Sequence, residues 1–103
     1  MAQRIHACSV GDLAEGEARK LDLEPPVTLF RGESGYFALD DLCTHGKASL
    51  AEGFIEGDTV ECPLHMAQFC LRTGKPLCAP ATAPVKAHEV LTEGGEIFVM
   101  VDR

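Results

Sequence analysis

The chain has 103 residues, 46% of them hydrophobic: the length of one domain, with enough apolar content for a core, which excludes a disordered tail. A net charge of −7 excludes the basic face that nucleic-acid binding needs. No apolar run nears the roughly 20 residues of a membrane span, and Met1 to Cys8 reads as neither a sustained apolar stretch nor a cleavage site, so a cytoplasmic location without membrane attachment is expected.

Segments rich in β-branched and aromatic residues predict strands over Arg4 to Val10, Val27 to Arg31, Tyr36 to Asp40, Gln68 to Leu71, Val85 to Leu91 and Glu96 to Val101. Turn signals fall between them at Gly32-Glu33-Ser34-Gly35, Thr73-Gly74 and Glu93-Gly94-Gly95. One short helical stretch is expected around Ala48 to Glu52. No internal repeat, low-complexity tract or linker is legible. Short strands so spaced predict a single all-β domain over residues 1–103, an antiparallel sandwich or small barrel.

Five cysteines are an odd number, and two of them stand in register with histidines, which favours metal ligation over a disulfide framework. Cys43-Thr44-His45-Gly46 and Cys62-Pro63-Leu64-His65 read together as C-x-H-x16-C-x2-H. Each half offers one soft, anionic thiolate and one neutral imidazole, so four ligands converge if the two loops face each other. Gly46 and Pro63 suit a chain that bends sharply around a metal. A four-coordinate zinc site also draws on cysteine and histidine. Zinc fingers usually pair like with like, whereas each loop here mixes the two, which favours an iron–sulfur centre.

These two stretches resemble the Rieske signature, and the likeness extends from about Phe37 to Val101. Within that group the chain is most similar to the ferredoxins of bacterial aromatic-ring-hydroxylating dioxygenase systems, such as those acting on naphthalene or biphenyl. The segments Cys-Thr-His-Gly, Glu-Cys-Pro-Leu-His and Thr-Gly-Lys-Pro-Leu-Cys-Ala-Pro carry the likeness. The resemblance implies an antiparallel β-sandwich with a small cluster-binding subdomain, about residues 42–80. It implies one [2Fe–2S] cluster held by Cys43 and Cys62 on one iron and by His45 and His65 on the other. It also implies an electron carrier, itself not an enzyme, that takes one electron from a flavin-containing reductase to a terminal oxygenase in aromatic compound degradation. A small Rieske subunit of a nitrite reductase or monooxygenase, and a zinc-binding interaction module, are the other readings.

Four positions depart from the respiratory and photosynthetic Rieske proteins. Those carry a disulfide between the loops, where this chain has Ala48 and Leu64. They also direct a serine and a tyrosine hydroxyl at the cluster sulfurs, where this chain has Ala67 and Phe69. Hydrogen bonds to sulfur favour the reduced, more negative cluster, so a midpoint at the low end of the Rieske range, on the order of −150 mV, is expected.

Cys8, Cys70 and Cys78 have no ligand-spaced partner and read as small buried hydrophobes. His6 and His88 read as surface or satisfied strand residues. The stretch Pro76 to Pro80 reads as a turn between strands, and the resemblance implies that its end, near Pro80, forms a third loop over the cluster. All sixteen acids lie outside the windows 43–51 and 62–88, which hold both ligand loops together with Lys47, Arg72, Lys75 and Lys86. An apolar, neutral to slightly basic tip is therefore expected, with electrons passing at His45 and His65 beside Lys47, Leu64, Met66 and Pro80. Glu52, Glu56 and Asp58 are expected to steer partners from its periphery.

Overall fold

The computed structural model describes residues 2–43, 48–63, 67–77 and 83–102. Nine strands are formed among them: β1 (Ala2–Ser9), β2 (Ala18–Leu21), β3 (Val27–Arg31), β4 (Tyr36–Asp40), β5 (Phe54–Glu56), β6 (Thr59–Glu61), β7 (Gln68–Cys70), β8 (Ala87–Glu93) and β9 (Glu96–Asp102). Two short 3-10 turns, Val10–Asp12 and Leu50–Glu52, interrupt them. All strand pairs are antiparallel, in a six-stranded sheet ordered β1-β9-β8-β4-β3-β2 and a three-stranded sheet ordered β5-β6-β7. The fold is all-β, as the strand and turn signals predict.

The six-stranded sheet curls over on itself. β9 and β3 are three lanes apart, roughly 14 Å at the usual strand spacing, yet Ile97, Val99 and Val101 of β9 share one core with Val27 and Leu29 of β3, Leu21 of β2, Ala38 of β4 and Cys8 of β1. A second core lies between this curled sheet and the small one. Phe30 and Leu39 line it from β3 and β4, Val60 and Phe69 from β6 and β7, and Leu50 from the second 3-10 turn. Successive strand residues point to opposite faces, so β3 and β4 form a wall shared by both cores. That is why Val27 to Phe30 is a continuous buried run rather than an alternating one.

The sharpest connection joins β8 to β9, where Gly94 (φ 60°) and Gly95 (φ 82°) form the two-residue turn between Glu93 and Glu96. Positive φ at both central residues matches the strand twist and strongly favours such residues. The small sheet is tied to the β3–β4 hairpin at its β5–β6 turn. Ser34 N–H donates to Asp58 Oδ1 (3.0 Å), Arg72 Nη2 donates to Ser34 Oγ (2.9 Å), and Glu33 N–H donates to the Gly57 carbonyl (2.9 Å).

Three strands escape the sequence reading: β2, β5 and β6. The helical stretch expected at Ala48 to Glu52 is a single 3-10 turn, Leu50–Glu52, because Leu50 N–H is taken up by the Asp41 carbonyl at 2.7 Å.

Candidate metal centre

The two candidate ligand loops grow from the ends of strands. β4 ends at Asp40, and Asp41 and Leu42 lead into Cys43; Leu42 then pairs across the loop with Ser49. β6 ends at Glu61, directly before Cys62, and Glu61 pairs across its loop with Gln68 of β7. The loop mouths are closed in the same way: Cys43 N–H donates to the Ala48 carbonyl (3.0 Å), and Cys62 N–H to the Ala67 carbonyl (2.6 Å). Both cysteines and both alanines are buried in the core between the sheets. Two thiols separated by eighteen residues of sequence are thus brought to one dry site by matching frames.

His45 and His65, and with them Thr44, Gly46, Lys47, Leu64 and Met66, lie outside the described residues. Among the described residues no three histidine, cysteine or acidic side chains converge to hold a metal, since only Cys43 and Cys62 of the expected four ligands belong to them. The donor set still fits an iron–sulfur centre. Both cysteines are buried, so neither thiol faces water.

A third segment runs beside the second loop. Cys70 N–H donates to Lys75 O (2.9 Å), Phe69 pairs with Pro76, and Leu77 N–H donates to Gln68 O (2.7 Å), so residues 75–77 form a lane along β7. Val85 N–H donates to Gly74 O (2.9 Å), which closes the third loop at its base. Gly74 has φ 79°, and a Cβ there would stand 2.1 Å from the Val85 carbonyl oxygen, so glycine is needed for this closure. The rest of that loop, Cys78 and Pro80 included, lies outside the described residues.

Asp41 is the functional candidate that sequence reasoning missed. Its side chain is 0% exposed, and Oδ1 accepts from Thr28 Oγ1 (2.6 Å), Ser49 Oγ (2.9 Å) and Ala51 N–H (3.0 Å). Its backbone N–H donates to Pro26 O at 3.0 Å. Burial pushes the carboxyl group up, but the bonds from Thr28, Ser49 and Ala51, with Lys20 nearby, outweigh it and hold Asp41 below the ordinary aspartate value. The one legible signal was a threonine inside the apolar run Val27 to Phe30, which needs a buried polar partner.

The remaining cysteines and histidines occupy other places. Cys8 is buried in the base core, where loss of hydration raises its thiol pKa above the usual value, the behaviour of an inert core residue. Cys70 is only half-buried, on the side of β7 opposite Phe69, and a hydrogen bond with the Thr73 side chain leads the causes that lower its pKa. His6 is paired on the surface with Glu96 (2.7 Å), and His88 is buried with Nε2 2.8 Å from Asp40 Oδ1. Both are satisfied strand histidines, as their isolation in sequence suggests.

Comparison with known proteins decides the family. The Rieske [2Fe–2S] domain profile matches residues 3–89. This chain is a member of the Rieske [2Fe–2S] domain family. Over 97 residues, 93% of this Rieske chain and 92% of the relative, it is 53% identical to the 3-phenylpropionate/cinnamic acid dioxygenase ferredoxin subunit of Escherichia coli K12. Its fold superposes with a TM-score of 0.91 on a chain from the complex of reduced oxygenase and oxidized ferredoxin in carbazole 1,9a-dioxygenase, at 35% identity, covering 94% of this chain and 92% of that one. It superposes with a TM-score of 0.89 on the Sphingomonas yanoikuyae B1 ferredoxin, at 29% identity, covering 97% of this chain and 100% of that one. The Rieske chain therefore binds one [2Fe–2S] cluster and is an electron carrier rather than a catalytic subunit. No described helix is long and apolar enough to cross a membrane.

Proposed function

We propose that this Rieske ferredoxin works in the cytoplasm, accepting single electrons from a flavin-containing reductase and delivering them to a terminal ring-hydroxylating dioxygenase. The observation that carries this reading is the pair of buried cysteines in matching loops within a chain 53% identical to a dioxygenase ferredoxin subunit. Cys43 and Cys62 would hold one iron, and His45 and His65 the other, with residues 42–80 as the cluster-binding part of the domain. When bound, the cluster supplies one-electron uptake and release, its potential set by the ligand charge and by hydrogen bonds to its sulfurs.

The chain's own residues do the rest. Leu50, Val60, Phe69 and Leu71, all buried, keep water from the two thiols and lower the local dielectric. The named relatives at 53% identity serve a 3-phenylpropionate/cinnamic acid dioxygenase, which supports an arene with a short carboxylate side chain as the substrate of the oxygenase served here. The ferredoxin itself binds no part of that substrate.

Docking is proposed at the loop end of the molecule. Among the described residues, three of the four exposed large apolar side chains border the loops there: Leu42 (50% exposed) precedes Cys43, Phe54 (68%) pairs with Glu61 beside Cys62, and Leu77 (50%) donates its N–H to Gln68. Of the acids expected to steer partners, Glu52 lies at this end, while Glu56 precedes and Asp58 sits in the β5–β6 turn at the other end of the small sheet. Asp58 is also engaged by Ser34 and Arg72.

The reading is tested by reconstitution. Purified protein is mixed with the reductase and oxygenase subunits of a phenylpropionate dioxygenase, and ring hydroxylation is measured against the same mixture lacking it. Hydroxylation that depends on this chain supports the proposal, and hydroxylation that proceeds equally without it refutes it.

A further inference from the structure

Asp41 stands two residues before a proposed cluster ligand, and its surroundings are more elaborate than a loop anchor requires. Four groups from the neighbouring elements meet its carboxylate: the Thr28 hydroxyl from β3 and the Ser49 hydroxyl and Ala51 N–H from the exit of the first loop donate to it, and the Lys20 ammonium approaches from β2. The donors converge on Oδ1. Oδ2 is buried with no hydrogen-bond partner among the described residues, and Lys20 Nζ, half-exposed, stands 3.5 Å from it. A buried carboxylate left with an open oxygen and one partly hydrated counter-ion keeps much of its field inside the protein, where screening is weak.

We propose that the buried Asp41 carboxylate, balanced in part by Lys20, is a positioning and tuning residue for the redox centre: it fixes both ends of the first ligand loop, and its negative charge holds the midpoint potential down. The positioning half follows from the contacts. Thr28 belongs to β3, whereas Ser49 and Ala51 follow the loop, so one carboxylate clamps the loop's exit to the base sheet while its own backbone enters the loop. The tuning half follows from charge. Reduction adds one negative charge to the cluster, and a fixed anion at the loop base opposes it. The inference rests on the cluster being bound through the Cys43 loop.

Two variants separate charge from scaffold. Asp41→Asn keeps an oxygen for the three donors on the Oδ1 side and removes the charge. Lys20→Gln leaves the carboxylate in place and removes its counter-ion. Iron and sulfide content and the visible spectrum are recorded first, because loss of the cluster from the wild-type protein itself would overturn the reading beneath the inference. Midpoint potentials are then measured by redox titration. At the wild-type midpoint, Asp41→Asn should raise the ratio of reduced to oxidised protein at least fivefold, about 40 mV upward for one electron. Lys20→Gln should lower that ratio, a smaller shift of opposite sign. Loosening of the loop alone would not give opposite shifts from the two partners. Unchanged potentials in both, or shifts of the same sign, overturn the proposal. If Asp41→Asn fails to hold a cluster, Lys20→Gln decides alone, and the absence of a downward shift overturns it.

Discussion

Cys43 and Cys62 open two loops with the same closure, each cysteine donating its N–H to the carbonyl of the alanine five residues on, Ala48 at 3.0 Å and Ala67 at 2.6 Å. The residues outside each closure also pair, Leu42 with Ser49 and Glu61 with Gln68. Only the histidine offset differs, two residues after Cys43 and three after Cys62. One frame used twice places both cysteines in the same buried core.

That equivalence predicts equal consequences. Cys43→Ala and Cys62→Ala should each abolish intact cluster assembly, measured as iron and sulfide per chain. Cys8→Ala should leave assembly intact, because Cys8 belongs to the base core, and should cost about 1 kcal/mol for the small cavity. Normal iron content in either ligand variant would refute the assignment.

The proposed potential rests on residues that carry no hydroxyl. Ala67 and Phe69 are both fully buried beside the second loop. Ala67→Ser should raise the midpoint, since a donor near a sulfur favours the reduced state. Phe69→Tyr should raise it too, but at a cost in stability of about 1–3 kcal/mol, because the ring is fully enclosed and the added oxygen must displace neighbours. Protein-film voltammetry with thermal unfolding reads both. A wild-type midpoint above about +100 mV would contradict the tuning account.

How much of this was legible in sequence depended on strand length and burial. Val27 to Arg31 and Tyr36 to Asp40 read correctly because a wall shared by two cores is mostly apolar on both faces. β2, Ala18–Leu21, did not, because half of it is charged and it pairs only with β3, at the edge of the large sheet. β5 and β6 are three residues each, too short for period-two alternation to register. Gly57-Asp58 between them was a usable hairpin signal that such short flanks obscured. The motif that marks the family was legible because its spacing is local. The Asp41 network was not, since Lys20 and Thr28 meet it only through the sheet and Ser49 only through the closure of the loop.

Acid should loosen the joint between the two sheets. The bonds from the Ser34 side chain and N–H hold Asp58 below the ordinary aspartate value. A carboxylate depressed in the folded state contributes stability that is fully present above the unfolded pKa, about 3.9, and is lost as pH falls through the lower folded value. Asp58→Asn should therefore lower Tm at pH 7, and the gap from wild type should narrow below about pH 4. A gap independent of pH would show that the carboxylate charge contributes nothing.

The proposed docking at the loop end would make Phe54 a contact residue. Phe54→Asp should slow electron delivery to the oxygenase about tenfold, equivalent to 1.4 kcal/mol, by burying a charge in an apolar contact. Val10→Asp, which alters an exposed apolar side chain next to β1, should leave the rate unchanged. Stopped-flow oxidation of the reduced ferredoxin measures both, and equal rates for Phe54→Asp and wild type would place the partner elsewhere.

The central claim, a cluster held by two thiolates and two imidazoles, is tested most directly by pulsed EPR of the reduced protein with its histidines labelled with ¹⁵N. Two strongly coupled histidine nitrogens are predicted, one lost in His45→Ala and the other in His65→Ala if a paramagnetic cluster survives. A reduced protein without an EPR signal, as zinc would give, or a signal without histidine nitrogen coupling, would contradict the account.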